Sequence, residues 1–160
     1  RSAVTMAAAQ CRGVADVQLD LAADLPGIPC VPGGLNQALI SMLVNAAEAI
    51  AAARLAGDGG PGIIRVTTRR AADGVEIIVR DSGKGMPEHV RERVFDPFFT
   101  TKPEGQGTDQ GLAVAHSLIQ RLGGEIRVES EPGRGATFTI RLPGVPAGRP
   151  AAVAAAVAAG

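Results

Sequence analysis

The stretch IIRVTTRRAADGVEIIVRDSGKGM, residues 63–86, indicates two β-strands followed by a glycine-rich turn. Its two main parts, IIRVTTRR and GVEIIVRD, are rich in β-branched residues, which favour strands. They are joined through Ala71-Ala72-Asp73-Gly74, which is typical of a hairpin connection. Asp81 ends the second strand and begins DSGKGM. The stretch therefore predicts a hairpin that presents a carboxylate at the end of its second strand.

The segments on either side alternate between strands and helices. Before the hairpin, the pattern predicts the end of a helix at 2–10, a strand at 14–21, a loop, and a helix of about five turns from Leu35. After it come a short helix from Pro87, a long loop, a helix from Gly111 to Leu122 and a final hairpin, EIRVES with ATFTIRLP. This order indicates an α+β fold. We expect a two-layer sandwich, with one mixed, mostly antiparallel sheet covered on one face by about three helices.

The composition excludes several classes of function. The 160 residues carry 16 acidic and 16 basic side chains, and this zero net charge gives no electrostatic case for nucleic acid or an anionic membrane. No segment reaches the roughly 18 to 20 consecutive apolar residues of a membrane span. Cys11 and Cys30 form no metal-binding pattern, and we expect two reduced thiols. We interpret the chain as a cytoplasmic piece of a longer protein.

Asp81 leaves its strand in a sequence that allows two interpretations. A carboxylate there can accept a hydrogen bond from an amino group such as that of adenine, and Gly83 and Gly85 would let the backbone approach a flat ring. The alternative is a plain turn, because Asp-Ser-Gly is common in turns. Taken alone, the plain turn is the better interpretation.

Asn45 lies in the apolar helix, where a buried amide is costly unless it has a partner. It is either a satisfied amide at the edge of the core or an oxygen ligand for Mg²⁺, which prefers hard oxygen donors. Glu48 follows one turn later and, taken alone, is a solvated helix charge.

The long loop contains FDPFFTTK, with three of the four aromatic residues, and a glycine-rich segment before Gly111. The aromatic residues predict an anchor for the loop, and Lys102 beside glycines is placed to meet a phosphate. Helix N-termini bind anions through free N–H groups and the helix dipole. The segment matches neither a Walker loop nor a dinucleotide fingerprint. His89 and His116 have no metal-ligand spacing, and we expect both to face solvent.

Five motifs in order resemble the ATP-binding catalytic domain of bacterial sensor histidine kinases, within the ATPase superfamily of gyrase, Hsp90, histidine kinase and MutL. They are NQALISMLVNAAEA, VRDSGKGM, VFDPFFTTK, the glycine-rich loop before GLAVAHSLIQRLGG, and EIRVESEPGRGATFTIRLP. The resemblance covers about residues 14–143 and implies a Bergerat-type ATP-binding fold. Residues 1–13 would then be the end of a helix or linker from a missing dimerisation domain, and 144–160 a low-complexity tail.

The resemblance also implies roles for individual residues. Asn45 would bind Mg²⁺ and, with Lys102, act in catalysis, while Asp81 would bind the adenine amino group. Phe95, Phe98 and Phe99 would hold the lid over the nucleotide, and Thr137 would make a polar contact near the adenine. The residues assigned to ATP are Asn45, Glu48, Ala49, Asp81, Gly83, Gly85, Met86, Phe98, Lys102, Gly105, Gly107, Thr108, Gly111, Leu112 and Thr137.

The reaction implied is transfer of the γ-phosphoryl group of ATP to a histidine on a helical dimerisation domain, with a response regulator downstream. Neither histidine of this chain lies in the phosphoacceptor context, so the acceptor would belong to the parent protein. The gyrase, Hsp90 and MutL branches carry a general-base Glu one turn before the Mg²⁺-binding Asn. Ser41 stands there in this chain, and a hydroxyl is a poor general base. ATP hydrolysis by that route is therefore disfavoured.

One departure from the family lies in the phosphate loop. The family commonly has Gly-Thr-Gly-Leu-Gly-Leu, whereas Asp109 and Gln110 replace the second Gly and the first Leu here. Two like charges about 4 Å apart cost roughly 1 kcal/mol in water and about 4 kcal/mol at an effective dielectric of 20. We therefore expect weakened ATP binding, and a pseudokinase-like interaction module is the alternative function.

Overall fold

The computed structural model describes residues 2–29, 32–57, 60–99 and 111–144. The chain folds in the predicted order of helices and strands, and its long helix begins earlier than Leu35. The elements are α1 (Ser2–Cys11), β1 (Asp16–Leu21), α2 (Pro32–Leu55), β2 (Ile63–Ala71), β3 (Gly74–Asp81), α3 (Glu88–Arg91), α4 (Gly111–Arg121), β4 (Glu125–Ser130) and β5 (Ala136–Pro143).

The five strands form one sheet in the order β1-β2-β3-β5-β4. β1 pairs with β2 in parallel, and the other three pairs are antiparallel. The hairpin of β2 and β3 therefore lies in the middle of the sheet, which buries β3 between two neighbours. The prediction of a mixed, mostly antiparallel sheet in an α+β fold is confirmed.

The core lies between one face of the sheet and the helices. Side chains alternate along each strand, so every second residue of β2, β3 and β5 points toward the helices. α2 packs against β3 and is flanked by α1 and α4. The largest fully buried side chains of the core are Phe138, Met42, Leu43, Ile50, Ile64, Ile119, Ile140, Val75 and Val79. The core is therefore almost entirely aliphatic.

The central helix is apolar enough to resemble a membrane span. Gly33–Leu55 passes the length and composition test for a membrane-crossing helix, and it is the one such helix in the described part of the chain. One side of this helix, which includes Ala38, Met42, Leu43, Ala46 and Ile50, is buried in the core. Packing between the sheet and two other helices accounts for its hydropathy.

The N-terminal helix belongs to the same compact unit. Ala7 and Cys11 of α1 are buried members of the core, although they precede residue 14, where we placed the start of the domain. Cys11 is a free thiol, and its burial raises the pKa of that thiol. Cys30 and residues 145–160 lie outside the described residues.

Candidate functional site

A cavity of about 330 Å³ opens beside α2, at the end of β3 and the start of α4. Segment 84–99 contributes to its wall. The residues that line it are Gln37, Ile40, Ser41, Val44, Asn45, Glu48, Ala49, Ala52, Asp81, Lys84, Gly85, Met86, Val90, Val94, Phe99, Gly111, Leu112 and Ala136. Eight of the residues that the sequence assigned to ATP are therefore brought together: Asn45, Glu48, Ala49, Asp81, Gly85, Met86, Gly111 and Leu112.

Asp81 is a buried carboxylate, 3% exposed, in the wall of this cavity. Its Oδ1 accepts hydrogen bonds from the backbone N–H of Gly83 at 2.8 Å and of Ala136 at 3.3 Å. Among the described residues, Oδ2 has no hydrogen-bond partner. Desolvation raises the pKa of Asp81, and the two backbone hydrogen bonds oppose that rise. The side chain is thus fixed by one oxygen and offers the other as an acceptor.

The turn after Asp81 is held between α2 and the β4–β5 turn. Lys84 N–H donates to the Ala49 carbonyl at 3.1 Å, and Gly133 N–H donates to the Lys84 carbonyl at 2.7 Å. A Cβ on Gly83 would lie 2.7 Å from the Cβ of Ala49, too close for any side chain. Gly85 has φ +67°, and a Cβ there would overlap the Glu131 carbonyl oxygen. The glycines of DSGKGM therefore permit close packing, which a plain exposed turn would not need.

Polar side chains of α2 form the second wall of the cavity. Gln37, Ser41, Asn45 and Glu48 recur at three or four positions, which places them on one side of the helix. Asn45 is half-buried, so its amide is near solvent yet inside the cavity. No group of three or more His, Cys, Asp or Glu residues in the described ranges could hold a metal ion. A cation here would therefore need oxygen ligands from a bound molecule as well.

The aromatic segment after α3 anchors to α4 and the sheet, as predicted. The ring of Phe95 stacks on His116, with centroids 5.0 Å apart, and meets Phe138 edge-on at 6.3 Å. Phe99 lines the cavity, and the guanidinium of Arg93 lies 4.5 Å from its ring centroid. His116 is half-buried, so the prediction that it faces solvent is wrong, whereas His89 is exposed as expected.

Two predicted ATP-site residues lie away from the cavity. Thr137 pairs with Arg80 of β3, so its side chain points to the sheet face opposite Asp81. The predicted contact of Thr137 near the adenine is therefore wrong, and the neighbouring Ala136 lines the cavity instead. Phe98 is 79% exposed, with φ 63°, and does not line the cavity. Gly83 does not line the cavity either, but its backbone N–H donates a hydrogen bond to Asp81 Oδ1.

The remaining predicted residues precede α4 in the sequence. Lys102, Gly105, Gly107, Thr108, Asp109 and Gln110 lie outside the described residues. Gly111 and Leu112, which follow them, line the cavity at the first turn of α4. A Cβ on Gly111 would meet Ser41 at an ordinary contact distance of 3.6 Å. The N-terminus of α4 thus lies next to the polar side of α2.

Sequence reasoning did not assign Lys84 or Gln37 to the site. Lys84 is the one basic residue among those that line the cavity in the described part of the chain. It lies inside DSGKGM, so the motif offered a signal for it. Gln37, Val44 and Ala52 follow the three- and four-residue spacing of Asn45 and Glu48, and a helical projection around Asn45 identifies them.

Residues 30–146 match the family described as histidine kinase-, DNA gyrase B-, and HSP90-like ATPase. The chain is 42% identical over 130 residues to the sensor histidine kinase ZraS of Escherichia coli, and 41% identical over 127 residues to sporulation kinase E of Bacillus subtilis. The matches cover 80% and 79% of this chain, but it spans 26% and 16% of those proteins.

Solved structures show the same fold. The catalytic domain of histidine kinase ThkA superposes with a TM-score of 0.72 at 28% identity, covering 93% of this chain and 92% of that one. Full-length ShkA, solved in complex with AMPPNP, gives a TM-score of 0.75 at 25% identity, covering 94% of this chain and 30% of that one.

Proposed function

Because the chain belongs to the histidine kinase-, DNA gyrase B-, and HSP90-like ATPase family, we propose that it is the ATP-binding catalytic domain of a sensor histidine kinase. In the longer parent protein it would transfer the γ-phosphoryl group of ATP to a histidine on a helical dimerisation domain. A response regulator would then receive the phosphoryl group, and the domain would work in the cytoplasm, where ATP is available.

The main support for this proposal is the side-chain oxygen Oδ2 of Asp81, which can accept a hydrogen bond. A buried carboxylate with one oxygen held by two backbone N–H groups and the other unpartnered among the described residues is suited to an amino group, such as that on adenine. The cavity beside it is lined by aliphatic groups of Ala49, Met86 and Ala136, which suit a flat base. The likeness to a protein solved with AMPPNP, a nucleotide analogue, supports the same ligand class.

The polar side of α2 fits the other half of the nucleotide. Mg²⁺ takes few protein ligands and shares its coordination with substrate phosphates and water, so a single amide oxygen from Asn45 suffices. The metal would neutralise charge on the phosphates. Asn45 would hold it, and the first turn of α4 would direct backbone N–H groups at the phosphates.

Asn45→Ala tests the metal role. The variant should lose the enhancement of ATP binding by Mg²⁺ and bind ATP with about the same affinity in Mg²⁺ and in EDTA, because no amide oxygen remains. The measurement is a titration with a fluorescent ATP analogue in both buffers. Asn36→Ala, on the same helix but outside the cavity lining, is the matched control and should keep the difference. A variant at Asn45 that keeps its Mg²⁺ dependence would refute this role.

The same titration on the unaltered chain tests the proposed function. Saturable binding is expected, and no binding at millimolar nucleotide would refute the kinase proposal and favour a pseudokinase-like interaction module. That second candidate rests on Asp109 and Gln110 of the phosphate loop. An ATPase of the gyrase type is disfavoured, because Ser41 lines the cavity where a general base would stand.

The double variant Asp109→Gly, Gln110→Leu tests the loop. Removal of one negative charge from the phosphate loop and restoration of an apolar residue should tighten ATP binding about tenfold. Dissociation constants for the fluorescent analogue would measure this. Glu104→Gln removes a charge from the same loop without restoring a family residue. If the double variant and the unaltered chain have the same affinity for the ATP analogue, the Asp109 carboxylate does not weaken ATP binding.

A further inference from the structure

The sheet face that points away from the helices carries five exposed arginines. Alternation along the strands puts them on that face, because their neighbours Ile64, Val66, Val79 and Ile140 are buried on the other. The five are Arg65, Arg69, Arg80, Arg127 and Arg141.

Three of these arginines have carboxylate partners on the same face. Arg69 and Arg141 donate through Nε to the two oxygens of the buried Glu76, at 2.5 Å and 2.6 Å. Those hydrogen bonds, with that from Arg69 the larger, lower the pKa of Glu76. Arg127 pairs with Glu125 at 3.1 Å. This part of the face is therefore neutralised within the chain.

Arg65 and Arg80 are different. They lie directly opposite each other in the pairing of β2 with β3. Arg65 donates to the neutral side-chain oxygen of Gln18 at 3.0 Å, and Arg80 has no side-chain partner among the described residues. Like charges directly opposite across two strands destabilise a sheet. Arg65 and Arg80 thus form an unfavourable pair of cations, whereas the other three arginines of this face have carboxylate partners.

We propose that Arg65 and Arg80 form a docking point for a carboxylate-rich segment of a partner protein. Two adjacent guanidinium groups can each take a carboxylate in a bidentate manner. Thr137, beside Arg80 on β5, adds a hydroxyl on the same face. The low-complexity segment 145–160 contains no Asp or Glu, so it cannot supply the carboxylates.

The surroundings favour a short acidic segment over a long polyanion. Asp16, Asp20, Glu76, Glu125 and Glu129 lie on the same face and would repel a nucleic acid, an anionic membrane or a long acidic chain laid across it. A segment with only two adjacent carboxylates can contact Arg65 and Arg80 without lying across those acidic residues. The docking point is also separate from the ATP cavity, because Arg80 and Asp81 are consecutive in β3 and point to opposite faces. Binding of an acidic segment at this docking point can therefore be tested independently of nucleotide binding.

The test uses a short fluorescein-labelled peptide, in which two adjacent glutamates are flanked by glycine and serine, and fluorescence anisotropy at low salt, with and without ATP. The unaltered chain should bind it saturably. The double variant Arg65→Gln, Arg80→Gln should bind the peptide at least about fivefold more weakly, because it loses two exposed ion pairs. Arg12→Gln, Arg121→Gln removes the same charge from exposed positions off the sheet and should bind within about twofold of the unaltered chain.

Stability supplies a second readout. Arg65→Gln, Arg80→Gln should have a melting temperature equal to or above that of the unaltered chain, because the repulsion is gone. The proposal is overturned by any of three results: no saturable peptide binding, equal loss in both double variants, or tighter binding to anionic vesicles or single-stranded RNA than to the peptide.

Discussion

Asp81→Asn should weaken ATP binding about 100-fold while the protein remains at least as stable. The amide oxygen of the substituted side chain can still accept the hydrogen bonds from Gly83 and Ala136. Its NH₂ group then takes the place of the free carboxylate oxygen. This NH₂ group would face the amino group of adenine, and both groups are hydrogen-bond donors. The variant therefore loses the hydrogen bond from adenine to a charged acceptor, which is worth roughly 1.5–3 kcal/mol.

The stability half of this prediction follows from the raised pKa of Asp81. When the folded-state pKa of an acid lies above its unfolded value, the folded state binds more protons between the two values, and stability falls as pH rises through that window. Desolvation raises the pKa of Asp81 in this way. At neutral pH the ionised side chain therefore costs stability, and the neutral amide removes that cost.

Two measurements check the prediction. Fluorescent ATP titration should show the loss of affinity, and urea unfolding at pH 7 should show a free energy of unfolding no lower than that of the unaltered chain. The stability advantage of the variant should shrink on acidification. Asp73→Asn, in the exposed β2–β3 turn, is the matched control and should change neither quantity. A variant at Asp81 that is much less stable would show that this carboxylate is structural.

The sequence predicted the strands and helices because their periodicities are regular. Alternation in β3 buries Val75, Ile77 and Val79, and the same alternation directs Asp81 to the helix side. The parallel pairing of β1 with β2 was not predicted in detail, because pairing depends on contacts between segments 47 residues apart, as Asp16 and Ile63 are.

Some errors came from signals that were present. In ATFTIRLP the apolar residues Phe138, Ile140 and Leu142 alternate with Thr137 and Thr139, so Thr137 belongs to the outer face. The role of Thr137 was taken from the resemblance of its motif to the family, and that resemblance does not determine the face of the strand. His116 lies one residue after the buried Ala115, at the edge of the buried side of α4, where half-burial is expected.

Other features had no signal in a single sequence. Nothing local shows that Lys84 is held between Ala49 of α2 and Gly133 of the β4–β5 turn. These contacts join parts of the chain that are distant in sequence. The opposition of Arg65 and Arg80, by contrast, follows from the predicted hairpin, because a turn at 71–74 fixes the register that pairs them.

Gly85→Ala should be far more destabilising than Gly133→Ala, although both glycines have positive φ, +67° and +76°. Left-handed backbone costs an L-residue roughly 1–2 kcal/mol at either position. A Cβ on Gly133 meets nothing within 4 Å, so that variant should lose about 1 kcal/mol of unfolding free energy. A Cβ on Gly85 overlaps the Glu131 carbonyl oxygen, and the turn must move, so the loss should be about 3 kcal/mol or more.

The effect of Gly85→Ala should extend to the nucleotide. Met86 N–H donates to Ser130 Oγ at 2.9 Å, and Ser130 Oγ donates to the Gly135 carbonyl at 2.7 Å, so a shift at Gly85 displaces the wall of the cavity. Urea unfolding and fluorescent ATP titration should both show the variant impaired, and Gly133→Ala near normal in binding. Equal losses of stability in the two variants would mean that backbone strain alone, and not the contact with Glu131, makes Gly85 necessary.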